Sequence, residues 1–265
     1  YEVEDLLVLK NNKGTEDNRV RHMDYGVQFN KLMYERLLTG GDITLFSPND
    51  VPGLYDAFFA DQDKFKELYE QAEANPDIRK KTMRASELFA MFMEERKNTG
   101  RVYLMNVDHA NTHGAFVEDV APIRQSNLCC EINLPTKPLA NFDDPEGEIS
   151  LCTLSAINWG NIKTPEDFEK PCTLAVRALD ALLDYQKYPV LAAELSTMKR
   201  RPLGIGIINF AFWLAKNGTN YQEPNLELVD EWAEAWSYYL IKASADLASE
   251  KGAIEGNKET KYGHG

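Results

Sequence analysis

Apolar and polar positions along this chain follow two rhythms, a period near 3.6 that marks amphipathic helices and a period of two that marks half-buried strands. The opening ten residues, with Leu6, Leu7 and Leu9, read as the end of a helix already under way, because nothing resembling a cap precedes it. The domain is therefore expected to start earlier. Residues 11–18 are polar and read as a loop. Residues 24–38 read as a helix burying Val27, Leu32 and part of 34–38, stopped by Gly40 and Gly41. Residues 43–46 read as a short strand ended by Ser47-Pro48. Two acidic helices follow, roughly 54–60 and 63–74, with Pro76 closing the second; their charge is a solvated face. Leu88, Phe89, Phe92 and Met93 recur at helical spacing over 82–97, with Gly100 as the stop, and read as core.

Residues 101–107 read as a strand that runs into Asp108-His-Ala-Asn-Thr-His113, which the strand before it and Gly114 after it assign to a loop. Residues 137–148 read as a polar turn region, and 149–156 as a second buried strand containing Cys152. Thr164-Pro-Glu-Asp167 has the form of a capping box, opening a helix that carries Leu174, Val176, Leu179, Leu182 and Leu183. Pro171 delays or kinks its start, and Cys172 reads as packing. The basic run Lys199, Arg200 and Arg201 precedes Leu203-Gly-Ile-Gly-Ile-Ile-Asn-Phe, which lacks the third glycine and the Lys-Ser/Thr of a phosphate loop and is better explained by tight backbone packing. A final helix over 225–250 carries Val229, Trp232, Trp236, Tyr239, Leu240, Ala243 and Leu247, and Gly252 ends it. Strands alternating with helices imply an α/β domain.

Composition narrows the function classes. The 265 residues are 43% apolar, ample for a buried core. With 29 basic against 42 acidic residues the net charge is −13, which argues against a nucleic-acid groove but leaves room for a small phosphorylated substrate. The most apolar stretch, 203–215, is interrupted by Asn209 and is too short to cross a bilayer, so no membrane partner is expected. Four cysteines, two of them adjacent and none in C-x-x-C spacing, make neither a secreted disulfide framework nor a zinc site. The expected home is a reducing cytoplasm.

The chemistry concentrates in Arg124-Gln-Ser-Asn-Leu-Cys-Cys-Glu-Ile-Asn-Leu-Pro-Thr136. In an extended segment Asn127, Cys129 and Glu131 share one face while Leu128, Cys130 and Ile132 share the other. One face then holds an amide, a sulfur capable of nucleophilic or one-electron chemistry, and a proton acceptor. The bland alternative is a half-buried strand whose cysteines act as small hydrophobes. A second candidate is His109 with His113 and Asp108, a metal set only if the pair lies on a helix.

At these residues the chain resembles the large, catalytic (alpha) subunit of class I (Ia-like) ribonucleotide reductase, which converts ribonucleoside diphosphates to deoxyribonucleotides; Asn-x-Cys-x-Glu is that family's catalytic signature. The likeness continues through Glu4-Asp-Leu-Leu-Val-Leu-Lys-Asn-Asn, Arg21-His-Met-Asp-Tyr-Gly-Val, Asp42-Ile-Thr-Leu-Phe-Ser-Pro and Leu151-Cys-Thr-Leu-Ser-Ala, weakening after about Gly252. The resemblance implies an α/β fold in which residues 1–265 form the central part of a ten-stranded barrel, two five-stranded halves with a finger loop carrying the reactive cysteine at its tip. It implies that Cys129 becomes a transient thiyl radical, that Glu131 accepts the 3′-hydroxyl proton, and that Asn127 holds the substrate hydroxyls and the carboxylate. The substrate would lie against Asn127, Leu128, Cys129, Cys130 and Glu131. Cys152 matches one member of the redox dithiol, whose partner is expected N-terminal to Tyr1.

The same resemblance implies no cofactor on this segment, a radical supplied by a metal-containing small subunit, thioredoxin or glutaredoxin as reductant, and a homodimer of large subunits. The effector-binding region, the phosphate-gripping loop, the radical-passing tyrosines and the C-terminal cysteine tail are expected outside this segment, which would be inactive alone. Two other readings stand beside it. One is a non-catalytic scaffold piece of the barrel, and the other is a metal-dependent hydrolase at His109 and His113.

Overall fold

Tyr25, Val27 and Phe29 are buried while Gly26 is exposed and Gln28 half-buried between them, and this period-two pattern makes a strand. That strand is central to the first of two units, residues 1–135 with 259–263; the second comprises 136–258. The structure is a computed structural model, which describes residues 1–10, 17, 19–20 and 22–263. The loop expected over 11–18 lies, apart from Asp17, outside the described residues.

In the first unit a short helix α1 (Val3–Leu7) precedes strand β1 (Tyr25–Phe29) and helix α2 (Lys31–Leu38). The single helix expected over 24–38 is thus a strand and a helix divided at Asn30, whose side chain accepts a hydrogen bond from Met33 N. Strand β2 (Asp42–Phe46) and helices α3 (Leu54–Ala60) and α4 (Gln62–Ala74) fall where the pattern puts them, with Asp61 capping α4. Strand β3 (Lys80–Arg84) then takes residues expected at the start of a helix, and α5 (Ala85–Thr99) begins only after it. Its polar residues show no local alternation of burial; β3 exists because it pairs antiparallel with β2, from Asp42 opposite Arg84 to Phe46 opposite Lys80. Gly100, at φ 65°, ends α5 in the left-handed region that a side chain resists. Strand β4 (Val102–Asn106) follows and pairs parallel with β1, Tyr25 opposite Val102 and Phe29 opposite Asn106.

The core of this unit packs β1, α2 and α5 together, with Phe29 against Phe92 at 5.2 Å between ring centres. Tyr69 of α4 ties in β2 through both backbone groups of Thr44, donating to its carbonyl at 2.6 Å and accepting from its N–H at 2.7 Å. Burial pushes that phenol up to about 12. Residues 108–113, expected as a loop, continue β4 as helix α6 (Val107–Thr112). Lys261 donates to the carbonyls of Thr112 and Gly114 and so satisfies the end of that helix.

In the second unit strand β5 (Leu154–Asn158) pairs parallel with β6 (Gly204–Ile208). The buried strand expected over 149–156 is shifted toward the C-terminus, and Cys152 lies two positions before it, exposed. The preceding backbone is committed elsewhere: Ile149 N donates to Ala192 O. Pro165 follows Thr164 in a single 3₁₀ turn, with Thr164 N donating to Asp167 at 3.1 Å, and the turn leads into α7 (Glu169–Tyr185). Of the apolar residues on α7, Val176, Leu179 and Leu183 are buried, while Leu174 and Leu182 are exposed. Helices α8 (Leu191–Arg200), α9 (Phe210–Lys216) and α10 (Leu226–Lys251) complete the unit, with Asn225 capping α10. Trp159, Trp213 and Trp232 form its core, Trp213 lying 5.2 Å from Trp159 and 4.9 Å from Trp232 between ring centres. Among the described residues no helix is long and apolar enough to cross a membrane.

The basic run at 199–201 is spent on carboxylates. Arg200 meets Glu148 at 2.8 Å, and Arg201 meets Asp180 at 2.6 Å and Asp184 at 2.7 Å. Arg201 also takes the left-handed conformation, φ 42°, that terminates α8, at a cost of about 1–3 kcal/mol that the two aspartates offset. Burial opposes ionisation of Asp180, yet bonds from Arg201 and Lys251 outweigh it and hold the carboxyl below its ordinary 3.8. Its stabilisation is therefore complete above about 3.8 and is lost as pH falls through the lower folded value.

All four tryptophans lie in the second unit, so their fluorescence during denaturant unfolding reports that unit. Arg201→Leu should destabilise it by about 3 kcal/mol at pH 7 by leaving Asp180 under-compensated, and the deficit should shrink as pH drops below about 3.8. Phe168→Ala, which removes a fully buried ring lying against Trp159 and Trp232, should cost about 3–5 kcal/mol with no such pH dependence.

Candidate active site

Among the described residues the segment leading to the cysteines has no strand partner of its own. Side chains from α6 and β1 take over the role of a neighbouring strand. Asn111 of α6, itself buried, accepts from Ile123 N at 2.6 Å and donates to Ile123 O at 3.0 Å. Gln28 of β1 donates to Arg124 O at 2.8 Å. The Arg124 guanidinium lies 3.1 Å from Asp56 and over the Phe59 ring.

Beyond these anchors the chain turns back on itself instead of running straight. Cys130 N donates to Asn127 O at 3.0 Å, Ile132 N donates to Asn127 Oδ1 at 3.1 Å, and Ser126 Oγ donates to Ile132 O at 2.7 Å. Cys130 takes φ 63° to complete the turn. The extended segment on which the alternation argument and the half-buried-strand alternative depend is thus not what residues 126–132 adopt, since their backbone groups are satisfied within the turn. Alternation is not what brings the polar groups together. The turn places Asn127 Nδ2 2.6 Å from Glu131 Oε1, with Cys129 exposed between them in sequence.

Cys130 takes the opposite environment. It is half-buried against Phe59, Met105, Val107 and Ile123, and burial, then the nearby Glu131 and Cys129, push its thiol up. Cys172 is fully buried with its thiol raised to about 11 by desolvation, the inert packing residue the sequence suggests. Cys152 belongs to the other unit and is exposed.

A cavity of about 720 Å³ opens beside the turn, lined by Ser126, Asn127, Leu128 and Cys130 with Gln28 and Met105 among others. Cys129 and Glu131 are outside its lining. Gly26 also borders it, where an added Cβ would come within 3.1 Å of Tyr103 O across the ladder. That close approach accounts for glycine in mid-strand.

His109 and His113 share a helix face with ring centres 4.9 Å apart, so the loop assignment fails while the pairing holds. Both are exposed, Thr112 Oγ bonds His113 Nδ1 at 2.8 Å, and no group of three His, Cys, Asp or Glu gathers to hold a metal among the described residues. Asp108 stays on α6, its carboxyl raised chiefly by burial. Sequence reasoning passed over Asn111 and Gln28. Gln28 stands between apolar Val27 and Phe29 and Asn111 lies in the polar run 108–113, and neither context reveals a backbone partner 96 or 12 positions away.

All 265 residues match the family model described as the barrel domain of ribonucleotide reductase. The chain is 61% identical over its full length to the ribonucleoside-diphosphate reductase subunit alpha of Haemophilus influenzae, of which it covers 35%. It is 63% identical to the ribonucleoside-diphosphate reductase 1 subunit alpha of Salmonella typhimurium, again over the whole chain and 35% of that relative. With the ribonucleoside-diphosphate reductase subunit alpha of Enterobacteria phage T4 it shares 52% identity at the same coverage. The chain thus spans about a third of the length of these relatives, 35% in each case. The separate two-stranded sheets, none closed into a barrel among the described residues, are what a portion of a larger barrel leaves. Matched from end to end, the chain belongs to the ribonucleotide reductase barrel-domain family.

Proposed function

We propose that this chain is the catalytic-core portion of a class I ribonucleotide reductase large subunit, acting on ribonucleoside diphosphates within the complete, cytoplasmic enzyme. The observation that carries the reading is the turn in which Asn127 grips Glu131 at 2.6 Å and leaves Cys129 exposed at the bend. Relatives that match the chain along its whole length are named ribonucleoside-diphosphate reductases, which supports the same assignment.

In this reading a metal-containing small subunit supplies the oxidising equivalent that converts the Cys129 thiol to a thiyl radical. The sulfur takes the ribose 3′ hydrogen atom, so an S–H bond forms as a C–H bond breaks, a near-balanced exchange because the two bonds are of similar strength. Glu131 accepts the 3′-hydroxyl proton while Asn127 holds both the carboxylate and the substrate hydroxyls. The 2′-hydroxyl leaves as water with a proton from one of two thiols, Cys152 and a partner cysteine outside this chain. Together these thiols supply two electrons and two protons, one to the departing water and one to the 2′ carbon, and become a disulfide. Glu131 returns its proton to the 3′ oxygen, and return of the 3′ hydrogen atom from Cys129 regenerates the thiyl. Thioredoxin or glutaredoxin then restores the dithiol. Cys130, half-buried and bordering the cavity, is assigned no redox role in this scheme.

In the full-length subunit assembled with its radical source, Cys129→Ser should abolish deoxyribonucleotide formation, measured by turnover of a ribonucleoside diphosphate; retained turnover would refute the assignment. Thiol accessibility gives an independent check. Brief iodoacetamide treatment of the native chain near pH 8, read by peptide mass, should modify Cys129 well ahead of Cys130 and leave Cys172 untouched.

A further inference from the structure

We propose that Asn111 is a positioning residue for the reductase reaction, setting the register of the turn that carries Asn127, Cys129 and Glu131. The inference rests on the reading of that turn as the catalytic centre. Its starting point is the bonding of one buried amide. Asn111 is 3% exposed. Its Oδ1 accepts from Ile123 N at 2.6 Å, while Nδ2 donates to Ile123 O and to Val107 O, each at 3.0 Å. Both amide hydrogens and the oxygen are thus engaged. A flipped amide would turn its oxygen toward two carbonyls, so these partners fix the orientation.

Toward Ile123 the amide behaves as one residue of a neighbouring strand, meeting both the N–H and the C=O of a single residue. Ile123 is 1% exposed, which leaves no water to replace either bond. A slip of one residue at this point would move the start of the turn by one residue's rise along the extended segment, about 3.3 Å. The clamp stands four positions before Asn127, and Gln28 holds the next carbonyl, that of Arg124. The two holding residues share one frame. Gln28 lies on β1, its ladder partner Met105 lies on β4, and α6 continues β4 directly at Val107. Thus the ladder dictates the height at which the turn begins, and Asn111 transmits that height to the reactive residues without touching them.

The test uses the full-length subunit, with turnover and amide hydrogen exchange as separate readouts. Asn111→Leu keeps the size and removes all three bonds, whereas Asn111→Asp keeps the acceptor toward Ile123 N. In Asn111→Leu the amides of Cys130 and Ile132 should exchange at least about 10-fold faster while those of β1 and β4 keep their protection. The kcat should fall about 100-fold, the size expected for a misplacement of roughly 1 Å, with KM for the ribonucleoside diphosphate within about two-fold of wild type. Asn111→Asp should lie between the two and serves if the leucine variant does not fold. Unchanged exchange in the turn, or loss of protection in the ladder together with the turn, would overturn the proposal, the second because it makes Asn111 a general fold residue. Faster exchange in the turn with unchanged kcat would also overturn it, and Cys129→Ser assayed in parallel shows whether the catalytic reading itself still stands.

Discussion

Five register pairs between β1 and β4, from Tyr25–Val102 to Phe29–Asn106, are the constraint on which the first unit's site depends. Parallel strands need a long crossover, and here the intervening chain supplies α2, the β2–β3 pair and α3 to α5. Their apolar faces bury Phe29, Leu32 and Phe92 against the ladder. Gln28 and Met105 sit opposite each other in the register and are joined by a bond from Nε2 to Sδ at 3.3 Å. That leaves the second Nε2 hydrogen for Arg124 O. Because the ladder fixes Gln28 and hands β4 on to α6, a segment with no strand partner can be held to a defined position.

The second unit reaches order by a different balance. Its core is aromatic, Trp159, Trp213 and Trp232 meeting edge-on or tilted, geometries that bring ring edges against ring faces. Around it lie carboxylates out of water, Glu148 beneath Arg200 and Asp180 beneath Arg201 and Lys251. For a chain with net charge −13 these are unlike-charge contacts that repulsion elsewhere does not supply. Their gain is smaller than their Coulomb attraction, since each partner is partly desolvated. They specify geometry more than stability: the pair at Arg201 holds a non-glycine residue in the left-handed turn from which β6 starts.

How legible this was in the sequence depends on the range of the interaction that decides each element. Helices α3, α4 and α10 are set by apolar spacing and local caps, and they lie where the pattern puts them. Strand β1 was readable too, since Tyr25, Val27 and Phe29 alternate, but Leu32 and Tyr34 extend a helical spacing backward and Asn30 divides the two. Strand β3 was not, because its polar residues are strand only through the partner β2. At the candidate site the sequence singles out Asn127, Cys129 and Glu131 as residue types, but not the geometry they adopt. Alternation put them on one face, whereas the contact of Asn127 with Glu131 comes from a bend that depends on Cys130 adopting φ 63°.

For the reaction proposed above, that bend would serve better than a straight strand. In a strand, residues two apart stand side by side but their polar tips need not touch. Here Asn127 Oδ1 is tied to Ile132 N and its Nδ2 to Glu131 Oε1, so the amide is held from one side and holds the carboxylate on the other. One carboxylate oxygen is pinned, which limits the rotamers open to the Glu131 side chain; in the proposed reaction that would hold the other oxygen ready to accept a proton. The adjacent sulfurs are separated by the same device. The positive φ costs about 1–3 kcal/mol, and what over-determines it is the packing of Cys130 against Phe59, Met105, Val107 and Ile123. The half-buried Cys130 side chain thus anchors the bend that leaves its neighbour exposed. Two cysteines adjacent in sequence are therefore placed in opposite environments, Cys130 adding hydrophobic contact and Cys129 exposed.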